Sequence, residues 1–154
     1  MNIYEKLLNQ AASDDVCVDE SFELIADNGL YIDGNIALSD KLETNREKAC
    51  VLAEELGHHY TSVGNIIDMK DAYNRKQERQ ARLWSYNRMI GLRGITNAFE
   101  AGCQNRHEMA EYLEVTEEFL QDCIDCYRDK YGVGHAVDNH YIMFIPTLMV
   151  GKII

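Results

Sequence analysis

The sequence predicts an α+β fold, mostly helical, as a single domain over residues 1–154 with one small antiparallel β-sheet. Three observations predict it. Apolar residues recur at three- and four-residue spacing over most of the chain. One stretch, Leu30 to Leu38, changes to two β-prone runs around Asp33-Gly34-Asn35, the pattern of a tight hairpin. A single proline, Pro146, and the lack of any Ser/Gly/Pro-rich tract or repeat leave nothing to mark a domain boundary. Within the domain, residues 1–92 hold the sheet and the long helices, and 93–154 hold shorter helices and a last strand.

Residues 2–11 and about 19–27 place Ile3, Leu7 and Leu8, then Phe22, Leu24 and Ile25, at helical spacing, with Asp19 as a cap for the second segment. Two short helices therefore open the chain, and the hairpin follows. Thr44 with Glu47 three residues later spells a capping box, after which Ala49, Leu52, Ala53, Leu56 and Tyr60 recur at three and four. This predicts a helix from about Asn45 to Ser62 that stops near Gly64. A second long helix is expected from about Asp68 to Ile90, with Tyr73, Ala81, Trp84 and Ile90 as its apolar contacts and Gly91 and Gly94 as punctuation. Asn105 with Glu108, and Thr116 with Glu117 and Glu118, mark further starts, giving helices of about 95–101, 106–113 and 117–130 that end at Gly132. Tyr141 to Ile145 is β-prone and closes before Pro146.

Composition narrows the function. Acidic residues number 26 against 15 basic, for a net charge of −11 and a pI of about 4.8. A surface of that sign repels a phosphate backbone, so direct nucleic-acid binding is not expected. Glu100, Glu108, Glu111, Glu114, Glu117, Glu118, Asp122 and Asp125 make the point locally, because the short helices of 95–131 that could pass for a DNA-reading motif carry them. No stretch nears the roughly 20 apolar residues of a membrane span, and the opening MNIYEKLLNQ has no signal-peptide pattern. The expectation is a cytoplasmic protein without a membrane partner. Five cysteines, an odd number, then read as reduced thiols; Cys123 and Cys126, three apart on a helix, read as core-facing rather than metal-binding.

The window Leu52-Ala53-Glu54-Glu55-Leu56-Gly57-His58-His59-Tyr60 carries the chemistry. Glu54 and His58 are four apart on a helix, so both side chains leave one face and can converge on one ion. Glu55 lies beside them, where zinc-peptidase helices place the general base that acts on the attacking water. Gly57 costs such a helix on the order of 1 kcal/mol against Ala. Close approach of a neighbouring strand or of substrate would offset that cost. Twenty positions beyond His58, Glu78 stands on the second predicted helix, and Ala81 and Ser85 form a small-residue stripe near it, which suggests two helices packed closely around a shared site.

The run AEELGHHYTSVG resembles the HELGH signature of the ImmA/IrrE family of metallopeptidases. GLYIDGNIALSDKLETNREKACVLA upstream is similar to that family's hairpin and active-site helix, and QERQARLWSYNRMIG downstream resembles its second helix, with Glu78, Ala81 and Trp84 as E-x-x-A-x-x-W. The resemblance is sharp over roughly residues 29–92. It implies a zincin-like fold, Zn2+ as cofactor with Glu54, His58 and Glu78 as metal ligands, and Glu55 as the catalytic base of an endopeptidase. It also implies a phage or mobile-element protein whose partner or substrate is a helix-turn-helix repressor, a basic protein that an acidic protease would suit. The departure is Glu54, since the family usually writes histidine there; the resemblance is to a phage-associated branch with EELGH. Two carboxylates and one imidazole make a harder, more anionic site, so slower hydrolysis than at a His-His-Glu site is expected. The alternative is a non-catalytic regulator, an anti-repressor or toxin-antitoxin-like partner that binds the repressor through a degenerate metal site.

Other residues compete for roles. His59 points about 100° away from His58 around the helix, so packing or substrate contact suits it better than ligation. Tyr60 would be an oxyanion donor if it faced the cleft, and a core residue otherwise. His107-Glu108-Met109-Ala110-Glu111 reads as a solvated acidic face, and His135 or His140 could reach the site from the far end of the chain. Arg75, Lys76, Arg79 and Arg82 form the one basic cluster, spaced for one side of a helix and available to pair with nearby carboxylates.

Overall fold

A computed structural model describes residues 1–25, 27–61 and 71–153, with only the backbone of 71–74. The class is α+β, with two small three-stranded sheets, one mixed and one antiparallel. The chain forms two compact units, Met1–Ser85 and Tyr86–Ile154.

In the first unit Asn2 caps α1 (Ile3–Ser13) by accepting from the Glu5 amide at 2.8 Å, and Tyr4, Leu7 and Ala11 fall on its buried side. The chain then turns through Asp15, at φ 57°, into β1 (Cys17–Phe22). Asp33 and Gly34 both take positive φ, 47° and 78°, the requirement of the tight turn that joins β2 (Gly29–Ile32) to β3 (Asn35–Ser39). The sheet order is β1-β3-β2, with β2 antiparallel and β1 parallel to the central β3.

Where a helix was expected over 19–27, β1 runs to Phe22. Nine residues make a marginal helix on their own, and β3 offered β1 a ladder of hydrogen bonds pairing Cys17 with Asn35 and Asp19 with Ala37. Asp19 does accept from the Ser21 amide at 2.9 Å, as a cap would, but the bond closes a bulge in β1. Of the apolar residues of the supposed helix face, Phe22 and Ile25 are exposed and Leu24 is half-buried. The parallel β1–β3 pairing also makes this sheet mixed where an antiparallel one was expected.

Thr44 starts α2 (Asn45–Thr61) as predicted: the Glu47 amide donates to Thr44 Oγ1 at 3.1 Å and the Thr44 hydroxyl donates to Glu47 Oε1 at 3.0 Å. Ala49, Leu52, Ala53 and Leu56 are wholly buried against α1 and the sheet with Leu7, Ile36 and Leu38. Burial of a Leu or Ile side chain contributes about 1.5–3 kcal/mol, so this face of α2 holds the unit together. α3 (Asp71–Met89) follows, with Gln77, Ala81 and Ser85 buried at spacings of four. Ser62, Gly64, Asp68 and the Tyr73 side chain, part of the predicted helix limits and contacts, lie outside the described residues.

The end of α3 opens the second unit. Gly91, at φ 66°, turns the chain directly into α4 (Gly91–Glu100), so that helix starts four residues before the expected 95. Asn105 caps α5 (Arg106–Leu113) and Thr116 caps α6 (Glu117–Tyr131), each side chain accepting from an amide three residues on. Three strands follow where one was expected: β4 (Gly134–Val137), β5 (His140–Met143) and β6 (Met149–Lys152), an antiparallel sheet with β5 central. Four-residue strands are too short for alternation to show in sequence. Cys123 is buried and Cys126 half-buried on α6, and both thiols are free. No described helix is long and apolar enough to cross a membrane.

Candidate metal centre

Gly57 sets the geometry. A Cβ built there would stand 2.2 Å from the carbonyl oxygen of Ala81 and 2.9 Å from its carbonyl carbon, so α2 and α3 meet backbone to backbone at this point. The close approach that Gly57 demanded is a helix rather than a strand or substrate. One residue along α2 and three back along α3, His58 Nε2 lies 3.1 Å from Glu78 Oε2, and Glu78 Oε1 lies 3.3 Å from Arg82 Nε one turn on. Two of the three predicted metal ligands, twenty residues apart in sequence, are in contact.

Glu55 occupies a slot beside β2. A Cβ at Gly29 would come within 3.1 Å of Glu55 Oε1 and 2.6 Å of Val51 Cγ1, so only glycine lets the edge strand run this close to α2. Burial there pushes the Glu55 carboxyl up to about 7, opposed by His58 and assisted by the charges of Glu54, Glu78 and Asp27. His58 is raised, first by its hydrogen bond to Glu78, against the effect of its own burial, and further by Glu78, Glu55 and Glu54. Glu78 is held low by His58 first and Arg82 after it.

The donor chemistry fits a divalent cation. One imidazole nitrogen faces a carboxylate, two further carboxylates act on that imidazole, and the other ring nitrogen, His58 Nδ1, is buried without a hydrogen-bond partner among the described residues. Such a surplus of negative charge around one histidine is the environment a cation relieves. Glu54 is half-buried and contributes its charge to Glu55 and His58. Among the described residues no group of three His, Cys, Asp or Glu side chains stands ready as a closed metal cage.

The remaining candidates are accounted for elsewhere. His59 packs edge-on to Tyr31, whose hydroxyl lies 2.7 Å from its Nδ1, and Tyr60 stacks on Trp84 while its hydroxyl bonds to Asp14. Neither side chain is spent on the site. His107 lies on an exposed face, 3.2 Å from Glu111. His135 packs against Tyr131, and His140 bonds to Glu100 at 2.6 Å, both partners lying within the second unit. Of the basic cluster, Arg82 pairs with Glu78, as expected of a neighbouring carboxylate. Gly29, Tyr31 and Asp27 were not singled out from sequence; a glycine opening a β-prone run was the one available sign of close backbone approach.

A family model described as the IrrE N-terminal-like domain, Peptidase_M78, matches residues 1–123, which contain every residue of this centre. No curated protein and no solved structure gives a significant match.

Proposed function

The chain belongs to the IrrE N-terminal-like family of metallopeptidases, and from that premise we propose that it is a zinc-dependent endopeptidase with Glu55 as its base. The observation that carries this is the His58–Glu78 contact at 3.1 Å across the backbone-tight α2–α3 seam. His58 and Glu78 would hold the metal, with Glu54 as the third ligand. Bound there, zinc would polarise the scissile carbonyl and lower the pKa of water.

The chain's own groups supply the rest. Glu55, held beside the site, can take a proton from water and return it to the departing amine. Gly29 leaves the space that holds its carboxyl beside the sheet edge. Arg82 fixes Glu78 from the solvent side. With a carboxylate at position 54 the site is more anionic than one with two imidazoles, and hydrolysis is correspondingly slower. The substrate we assign is a helix-turn-helix repressor of a phage or mobile element, whose basic surface suits a chain of net charge −11.

Glu55→Gln tests this. Co-incubation with the repressor, followed by mass spectrometry, should show cleavage by the wild type and none by the variant, a loss of about 10²–10⁴ in rate for a general base, with zinc content unchanged. Undiminished cleavage by the variant would remove Glu55 from the mechanism. A non-catalytic regulator is the second reading, favoured by the lack of a closed three-donor group among the described residues. In that case the repressor is sequestered intact by both proteins.

A further inference from the structure

The second unit contains a cavity that the peptidase reading does not use. It has a volume of about 340 Å³, at the lower end of the range for small-molecule sites. Its walls come from the start of α5, the middle of α6 and the segment between β5 and β6, all within Tyr86–Ile154. Phe144 and Ile124, both buried, give it an apolar floor, and Met109 and Pro146 extend that surface. Two guanidinium groups, Arg106 and Arg128, also line it.

The arginines are tied together by a chain of contacts. Arg106 Nη1 donates to Gln121 Oε1 at 2.5 Å, Gln121 Nε2 donates to Asp125 Oδ1 at 3.0 Å, and the same oxygen lies 3.2 Å from Arg128 Nη2. Gln121, Asp125 and Arg128 are spaced by four and three on α6, so the network runs along one helix face and crosses to α5 through Arg106. A guanidinium has five N–H donors; the named contacts of Arg106, to Gln121 and at 3.9 Å to Glu117, involve two of its nitrogens. Both arginines are therefore restrained and retain capacity to donate. Arg106 and Arg128 are the charged residues among those lining the cavity, and each also faces one carboxylate, Glu117 at 3.9 Å and Asp125 at 3.2 Å. Carboxylates beyond a Debye length of about 8 Å are largely screened at physiological salt, so the charges that act on a bound head group are the two arginines and their partners Asp125 and Glu117, and the guanidinium N–H groups not taken by those partners are what it meets.

We propose that this cavity is a binding site for a small amphipathic anion, an apolar or aromatic body on the Phe144–Ile124 floor with one phosphate or carboxylate head between Arg106 and Arg128. Restrained, partly desolvated arginines are strong partners for such a head group, and the floor supplies the affinity that a bare ion would lack.

The test is a two-dimensional NMR titration of the full ¹⁵N-labelled chain with inorganic phosphate, phenyl phosphate and decanoate in turn. Saturable shifts confined to amides of 104–109, 121–128 and 144–148 are expected with phenyl phosphate, decanoate or both, and which of them binds identifies the head group. The better amphipathic probe should bind at least about tenfold more tightly than inorganic phosphate. In the R106Q/R128Q variant that probe should bind at least about tenfold more weakly. Inorganic phosphate binding as tightly as both organic probes would overturn the apolar floor. The absence of localised shifts with any probe, or unchanged affinity in a dispersed, folded variant spectrum, would overturn the site. The wild-type comparison of probes stands even if that variant fails to fold.

Discussion

Each unit of the molecule contains a histidine in contact with a glutamate; apart from the exposed His107–Glu111 pair these are His58–Glu78 and His140–Glu100, which have little else in common. His140 Nε2 lies 2.6 Å from Glu100 Oε1, and Lys152 Nζ reaches the same oxygen at 3.2 Å, so one carboxylate meets an imidazole and an ammonium. His58 and Glu78 are 3.1 Å apart with the charges of Glu54 and Glu55 acting on the imidazole, and the second ring nitrogen of His58 is buried without a hydrogen-bond partner among the described residues. The first arrangement is satisfied in charge and helps fasten α4 to the β5–β6 hairpin. The second carries an unbalanced negative field at a helix seam. A histidine–glutamate contact is therefore no sign of a metal site in itself; surplus carboxylate and an orphaned nitrogen are what set one pair apart.

The contrast can be broken by removing each carboxylate in turn. Glu78→Ala should weaken zinc binding by more than the 10–100-fold that supporting residues outside the coordination shell cost, whereas Glu100→Ala should leave it unchanged. Plasma mass spectrometry of the two purified variants measures this, and equal zinc in both would dissolve the distinction. A smaller effect separates the glycines of the two units. Gly57→Ala drives a methyl into the Ala81 carbonyl and should cost about 3 kcal/mol. Gly94→Ala on α4 meets only side-chain atoms, Leu113 Cδ2 at 3.3 Å and Ile90 Cγ2 at 3.4 Å, and should change stability by less than about 0.5 kcal/mol as helix propensity offsets the crowding. Urea unfolding midpoints at constant slope would report both. Smallest is the difference between the histidines in metal-free protein. His140→Ala should cost more than His58→Ala, since it removes a buried ring packed edge-on to Phe99 and bonded to Glu100, whereas the His58 change also removes a buried nitrogen that has no hydrogen-bond partner among the described residues. A reversed order by thermal unfolding would argue that the His58 pair is the structural one.

What could be read in advance was local. The Thr44–Glu47 cap, the Asp33-Gly34 turn and the apolar spacing of α2 each depend on residues within one or two turns of one another, and each took the form expected. Where partners are distant the sequence was silent or misleading. β1 became a strand because β3, some eighteen residues on, presented an open edge. β5 is legible as the β-prone run from Tyr141, whereas β4 and β6 exist because β5 pairs with both, and neither is long enough to announce itself. At the centre, the spacing of Glu54, Glu55 and His58 was visible as a helix face and Glu78 as a second one. Close packing of the two helices was signalled by Ala81 and Ser85 beside Glu78; the pairing of Gly57 with the Ala81 carbonyl was not, because a glycine marks a close approach without marking its partner.

At the Gly57–Ala81 contact main chain rests on main chain, so the spacing of α2 and α3 at this point does not depend on the rotamer of any side chain between them. Most interior seams can drift as their packing residues are exchanged, and the groups they carry drift with them. Here the separation of positions 58 and 78 is rigid by construction. Variation in the chemistry of this seam is confined to swapping the end groups that project from a fixed frame.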